Sequence, residues 1–562
     1  MKKRFFQTTT YNSLYVASIF LTILVFSLFF ITLVGAFLPL KEETNSVNFF
    51  AIGKVLWFTV KQAFLSTCVA LLVGLSMAYF LACKNFFGKK FFSSLSSVSL
   101  CIPPLIMALG YVMTFGINGT INQFLVKIFG LSESPLTFLY SFWGIVIVHG
   151  FYNFPVIMGT VSESWKNLPE DKYFVAQLAG ATRFKTFKTV TLPGILPAIA
   201  SSSIIVFLYC FFSFVIVLLF GTVGCSTLEV EIYQAAKNTL DFSYAAKLAL
   251  IETVTALAFV FLYVSISKKS RLVENLSTSK KISPKNFSSL FSKVFFAITI
   301  CAIFLFLILP LILIFIKGFS KYPSLFKKNS FWEALKNTIF TGFFTGLLSS
   351  ILALVYSLFS RKIDPLKKST ILKTLPLLPM AVSSVVLGFG IINFSTFIDF
   401  SPSKWILILI QTSLAWPFAL QQIQNPLEKI SLDVTNAATL LSKNPLDVIF
   451  KVILPQLKKP VFIAFGFAFA ISAGDASLPL ILGIHNFETL ALYTYRLASS
   501  YKFAEACSCG SILIIIGITV FAFASQKYRW SRDVSLKPLT HLCFGSSNIV
   551  EPKSNLQKRK IK

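Results

Sequence analysis

Apolar stretches of about twenty residues recur along the whole chain, and this feature decides what it can fold into. Crossing a bilayer as a helix takes about 20 predominantly apolar residues, and backbone inside lipid must satisfy its own hydrogen bonds. Twelve stretches qualify: 14–40, 57–83, 95–117, 139–161, 198–221, 245–267, 294–316, 337–360, 371–395, 405–425, 461–483 and 505–526. With 55% hydrophobic residues, 13% charged ones and a mean hydropathy of +0.75, the 562 residues carry more apolar surface than one globular core can cover. The expected fold class is an all-α polytopic membrane protein with about twelve transmembrane helices. Met1-Lys2-Lys3-Arg4 resembles the start of a signal peptide, but the apolar run behind it is too long and lacks a cleavage site, so it should remain as a helix.

The net charge of +29 does not point to nucleic acid, because the basic residues lie between apolar runs and not along one stripe. Anionic lipid headgroups of the bilayer account for them better. If the N-terminus is cytoplasmic, the inner segments hold 36 Lys and Arg and the outer ones 12. That asymmetry places both termini in the cytoplasm. The outer segment 317–336, with Lys321, Lys327 and Lys328, runs against it. The nine cysteines sit mostly inside apolar runs without metal-ligand spacing and read as small buried hydrophobes.

Inside this apolar chain a basic amphipathic stretch occurs twice and ends the same way, Val190-Thr191-Leu192-Pro193 and Val452-Ile453-Leu454-Pro455, 262 residues apart. At the same offset Pro155 meets Pro417, Ala176 meets Ala438, Thr227-Leu228 meets Thr489-Leu490 and Tyr233 meets Tyr495. Six spans have been copied once. The organisation expected is a first half over 1–267, a polar linker over 268–293, a second half over 294–530 and a basic tail over 531–562. Parallel repeats of even span number keep one orientation, so the halves should be related by a pseudo-twofold along the membrane normal, with a pathway between them.

In the first copy Leu168-Pro169-Glu170-Asp171 offers a turn, a helix-starting proline and acids for the positive end of the dipole. Phe174, Leu178 and Ala181 return at helical spacing, Gly180 breaks the helix, and a second amphipathic helix begins at Arg183 and should stop near Pro193. Two short helices make a knob on the cytoplasmic surface. The alternative is a helix pair lying on lipid; two copies at fixed register favour a docking surface.

The run Phe174-Val175-Ala176, three residues, Gly180, nine residues, Val190-Thr191-Leu192-Pro193 resembles the cytoplasmic EAA loop of ABC importer permeases. Asn436-Ala437-Ala438, Ser442 and Val452-Ile453-Leu454-Pro455 fit the same frame. The family's glutamate is replaced by Phe174 and Asn436, and its glycine survives only as Gly180. Gln62-Ala63-Phe64-Leu65-Ser66, His149-Gly-Phe-Tyr-Asn153-Phe-Pro155, Ala176-Gln177-Leu178, Thr227-Leu-Glu-Val-Glu231-Ile-Tyr233 and Gly474-Asp475 with Asn486-Phe-Glu-Thr489-Leu490 are similar to the fused thiamine-importer permeases, close to the ferric-iron importer permeases. The resemblance implies two repeated six-helix halves of the type I importer kind in a bacterial inner membrane. It also implies two copies of a cytoplasmic ABC ATPase gripping the knobs and a periplasmic or lipid-anchored substrate-binding protein on the outer face. The coupling residues it carries over are Ala176, Gly180, Val190, Leu192 and Pro193 in one copy, Ala437, Ala438, Ser442, Leu454 and Pro455 in the other. ATP and Mg would sit on the partner: this chain has no Gly-x-x-x-x-Gly-Lys-Ser/Thr loop, should bind no cofactor and should not itself be an enzyme.

Three residues are pathway candidates. Asp475 lies in the apolar setting Ile471-Ser-Ala-Gly-Asp-Ala-Ser-Leu478, and an ionisable group there is costly unless it faces a cavity. It either lines or gates the pathway in the outer half, or caps a helix end in a re-entrant loop. Its counterpart at the 262 offset is Ser213, so a pathway lined there is asymmetric. His149 and Asn153 flank an aromatic cluster on which a cationic thiazolium could stack. Gly342-Phe-Phe-Thr-Gly346 reads as close helix packing. A secondary transporter with an internal repeat would need more intramembrane ionisable residues than Asp475, Lys373 and Lys61 and gives no reason for repeated knobs. A membrane-embedded enzyme finds no clustered histidines, which stand scattered at 149, 485 and 541.

Overall fold

A computed structural model describes residues 30, 33–37, 49–98, 101–222, 224–274, 284, 286, 287, 289–363, 372, 375–442 and 444–526. Most of the first expected span, Lys373, most of the linker and the whole tail over 531–562 lie outside the described residues. The first half comprises α1 (Phe49–Cys83), α2 (Pro104–Phe115), α3 (Phe142–Lys166), α4 (Glu170–Leu178), α5 (Leu192–Phe211), α6 (Val215–Phe220), α7 (Leu228–Gln234) and α8 (Phe242–Glu274). The second comprises α9 (Leu290–Phe319), α10 (Asn329–Ile363), α11 (Ser384–Ile398), α12 (Lys404–Lys429), α13 (Leu432–Leu441), α14 (Leu454–Gly474), α15 (Ser477–Leu482), α16 (Leu490–Ser499) and α17 (Phe503–Gln526). Among the described residues nine helices are long and apolar enough to cross a membrane, and Leu375–Ala381 with α11 adds a bent pair. The helix α8 runs on to Glu274, into the segment expected as linker.

Besides that bent pair, which falls on the expected span 371–395, two expected spans are broken at matching positions. The stretch 198–221 is α5 and α6 with a gap at 212–214, and 461–483 is α14 and α15 with a gap at 475–476. The gaps coincide at the 262 offset, as do the short helices α7 and α16 that follow. Each of those starts in the same way: the Leu228 N–H donates to the Thr59 hydroxyl at 3.1 Å and the Leu490 N–H to the Thr338 hydroxyl at 2.6 Å. A buried orphan N–H at a helix start is thus satisfied twice by the same device. Both Leu-Pro pairs differ from the expected helix stop. A wide helical turn, Phe187–Thr191 or Val448–Ile453, leads without a break into α5 or α14, with Pro193 and Pro455 in the first turn. The missing proline N–H is one of the orphans there, so proline starts these helices and does not end them.

Within each half the long helices pack on one another, α1 on α3 and α5, and α10 on α12 and α14. Gly342 and Gly346 form two sockets for α14: a Cβ there would lie 2.8 Å from the Phe469 ring and 3.0 Å from the Phe465 ring. The halves also meet through their opening segments. The helix α9 lies on α2, with the Tyr111 hydroxyl donating to the Phe306 carbonyl at 2.6 Å, and its inner end packs Phe296 on Phe80 at 4.9 Å. Reciprocally, Asn393 of α11 donates to the Gly35 carbonyl at 2.8 Å. Of the lysines in 317–336, Lys328 donates to Glu505 at 2.6 Å, a partner that holds its ammonium above the ordinary lysine range.

Candidate functional site

The knobs come first in the chain. Pro169 sets the start of α4, Glu170 and Asp171 occupy its first turn, and no residue of the helix is buried. Its end is a Schellman turn, in which the Gly180 N–H donates to the Gln177 carbonyl (2.9 Å) and the Ala181 N–H to the Ala176 carbonyl (3.0 Å). Gly180 has φ +74°, where a Cβ would be strained although space around it is open. Thr182 then caps the following turn through the Lys185 N–H at 3.3 Å, and the Tyr173 and Thr191 hydroxyls join the two segments at 3.0 Å. Phe174 and Leu178, expected at helical spacing, are exposed, Leu178 by 88%, as is Phe184, while Ala181 is half-buried. Ala176, Val190 and Leu192 are half-buried beneath them, while Pro193 is exposed.

The second knob presents Leu432, Val434, Leu440 and Leu441, the last two 88% and 87% exposed. Ala437 is exposed and Ala438, Leu454 and Pro455 are half-buried. The turn differs: Ser442 is extended (φ −91°, ψ 134°), its hydroxyl accepts from the Asn444 N–H at 3.2 Å, and the Asn444 side chain caps the next turn by accepting from the Leu446 N–H at 3.1 Å. Both halves thus hold large apolar side chains exposed on a short helix at one register.

The three pathway candidates meet between the halves. A cavity of about 520 Å³ is lined by Tyr152, Asn153 and Tyr209 from the first half and by Gln411, Phe418 and Asp475 from the second. A smaller one of about 220 Å³ adjoins it and adds His149, Ser213 and Glu229. The Tyr209 and Phe418 rings face each other across the halves at 6.3 Å. Asp475 lines the larger cavity and is also a helix cap: one carboxylate oxygen accepts from the Ser477 and Leu478 N–H groups (3.0 and 3.3 Å) at the start of α15, and the other accepts from Gln411 at 3.3 Å. Gln411 stands 262 residues after His149, so one polar position of α3 and α12 is duplicated with altered chemistry. His149 donates Nδ1–H to the Ile145 carbonyl at 2.8 Å, and Asn153 donates to the Cys210 sulfur at 3.5 Å. Sequence reasoning passed over two buried carboxylates, Glu229 and Glu252. The signal was available for Glu252, an ionisable residue inside an apolar run, as for Asp475.

The family model for the binding-protein-dependent transport system inner membrane component matches residues 44–271 and 366–529. The chain belongs to this family. As a family member it is a multi-pass inner membrane component of an ABC importer, and the two matched segments fall on the two halves. The chain is similar to the thiamine transport system permease proteins of Salmonella typhimurium (27% identical over 485 residues, 84% of this chain and 89% of that protein), Escherichia coli (26% over 502 residues, 87% and 92%) and Haemophilus influenzae (27% over 490 residues, 85% and 89%). The cavity of this family member lies between two halves that each carry a knob.

Proposed function

We propose that this chain is the transmembrane subunit of a thiamine importer, working by alternating access driven by a separate ATPase. The observation that carries the reading is the pair of exposed apolar knobs at one register, one per half. Two copies of a cytoplasmic ATPase holding ATP and Mg engage the knobs, and a periplasmic or lipid-anchored binding protein delivers substrate to the opposite face. Closure of the ATPase pair draws the knobs together. Since α4 and α13 are continuous through short turns with α5 and α14, that displacement reaches the helix gaps bordering the cavity. The ATPase and the loaded binding protein each act by favouring one state differentially. Relatives named for thiamine transport, together with a cavity walled by aromatic rings and carboxylates, support the substrate.

The test is uptake of radiolabelled thiamine and of ferric iron in cells lacking this chain, with and without a plasmid copy. Loss and rescue of thiamine uptake with iron uptake unchanged is the expected result. Loss of iron uptake alone would overturn the assignment.

A further inference from the structure

Resting on the importer reading above, the inference concerns two carboxylates that coupling does not use. Glu229, in α7, is 2% exposed and lines the smaller cavity. Glu252, in α8, is 1% exposed, and neither of its oxygens makes a hydrogen bond. The two interact with one another and both neighbour Ser383, which belongs to the second half. Neither position is duplicated, since the 262 offset places Ala491 and Ile514 there. Among the described residues no Lys or Arg lines either cavity. A second observation points inward independently of the acids: the Ser213 hydroxyl, 4% exposed and without a hydrogen-bond partner, lines the same cavity as Glu229.

A buried carboxyl without a countercharge is favoured in its protonated form, and a cation placed beside it favours the ionised one. A partner that arrives and leaves is a ligand. A phosphate or other anion would add repulsion. A hard metal cation wants six or more oxygens, whereas here Tyr152, Tyr209, Phe212 and Phe418 bring mostly ring surface. Ring faces beside carboxylates suit a delocalised organic cation. We propose that Glu229 and the Ser213 hydroxyl, which line the smaller cavity, form a site between the halves that takes the positive ring of a heteroaromatic organic cation during transport, with Glu252 outside the lining adding negative potential behind Glu229.

The test uses the whole transporter, this chain with its ATPase and binding protein, reconstituted in liposomes. Dicyclohexylcarbodiimide, which modifies carboxyls in apolar surroundings, is applied with and without excess thiamine, and the peptides bearing Glu229 and Glu252 are quantified by mass spectrometry. Thiamine is expected to protect Glu229, and its uncharged oxidation product thiochrome is not. Equal labelling with and without thiamine overturns the site, and equal protection by thiochrome overturns its charge recognition. E229Q is expected to lower thiamine uptake about tenfold or more while ATP hydrolysis stimulated by the loaded binding protein persists, and E229D to recover part of the loss. Wild-type uptake by E229Q overturns the proposal. Should the wild type take up no thiamine while N-methylpyridinium, a heteroaromatic cation, still protects Glu229, the thiamine reading fails and the cation site stands.

Discussion

The two halves repeat a scaffold and diverge where that scaffold does something. Thr59 and Thr338 make the same bond to the start of the helix after the gap, and both Leu-Pro pairs begin a helix in the same way. At the knob the first half turns through Gly180 in a left-handed conformation, the second through an extended Ser442 and a capping Asn444. At the gap the first half has Ser213, the second Asp475. Backbone satisfaction tolerates no variation in a membrane. A knob needs only to hold apolar side chains outward, so two turn chemistries serve it.

The largest effect should come from Gly180→Trp. A side chain at φ +74° costs about 1–2 kcal/mol, which is roughly a tenfold loss of the knob conformation. Thiamine uptake should fall at least that far with normal membrane levels, and ATPase pull-down should weaken. Ser442→Trp, at an ordinary φ, should lose less. Equal losses would show that the turns are equivalent after all.

Asp475→Asn follows. Asparagine keeps the cap, because a side-chain oxygen remains for the Ser477 and Leu478 N–H groups. The charge is gone, and uptake should drop while assembly with the ATPase persists. Unchanged uptake would reduce Asp475 to its capping role. Thr59→Val and Thr338→Val should then each lower stability by about 1–3 kcal/mol, the cost of a buried N–H left unpaired, and by similar amounts. Thermal unfolding in detergent measures this, and a marked inequality would break the scaffold symmetry. The smallest change is Ser442→Gly, which loses one hydroxyl acceptor at a half-buried turn, about 1 kcal/mol or less; transport should be close to wild type.

Duplication made the halves and knobs legible, since a fixed offset fixes register without any knowledge of packing. The membrane class followed from apolar length alone. Other features left no local signal. Nothing in Gly35 or Asn393 announces that they meet, because the contact joins residues 358 apart. The gaps at 212–214 and 475–476 sit inside continuous apolar runs, and hydropathy cannot distinguish a broken helix from a whole one. Glu229 was hidden differently, in a loop-like stretch expected at the surface, where a carboxylate looks ordinary until the fold buries it.

The placing of α9 has a consequence for inheritance. It lies between α2 of the first half and α17 of its own, so the second half is finished only against the first, and a chain cut within 268–293 should still assemble when both pieces are made together. What covalent fusion guarantees is that a half meets its unlike twin and never its own copy. A self-pairing half would carry each carboxylate twice, across a symmetry axis, at doubled repulsion. Joined in one reading frame, the halves are free to carry different acids at different positions, Glu229 and Glu252 in one and Asp475 in the other.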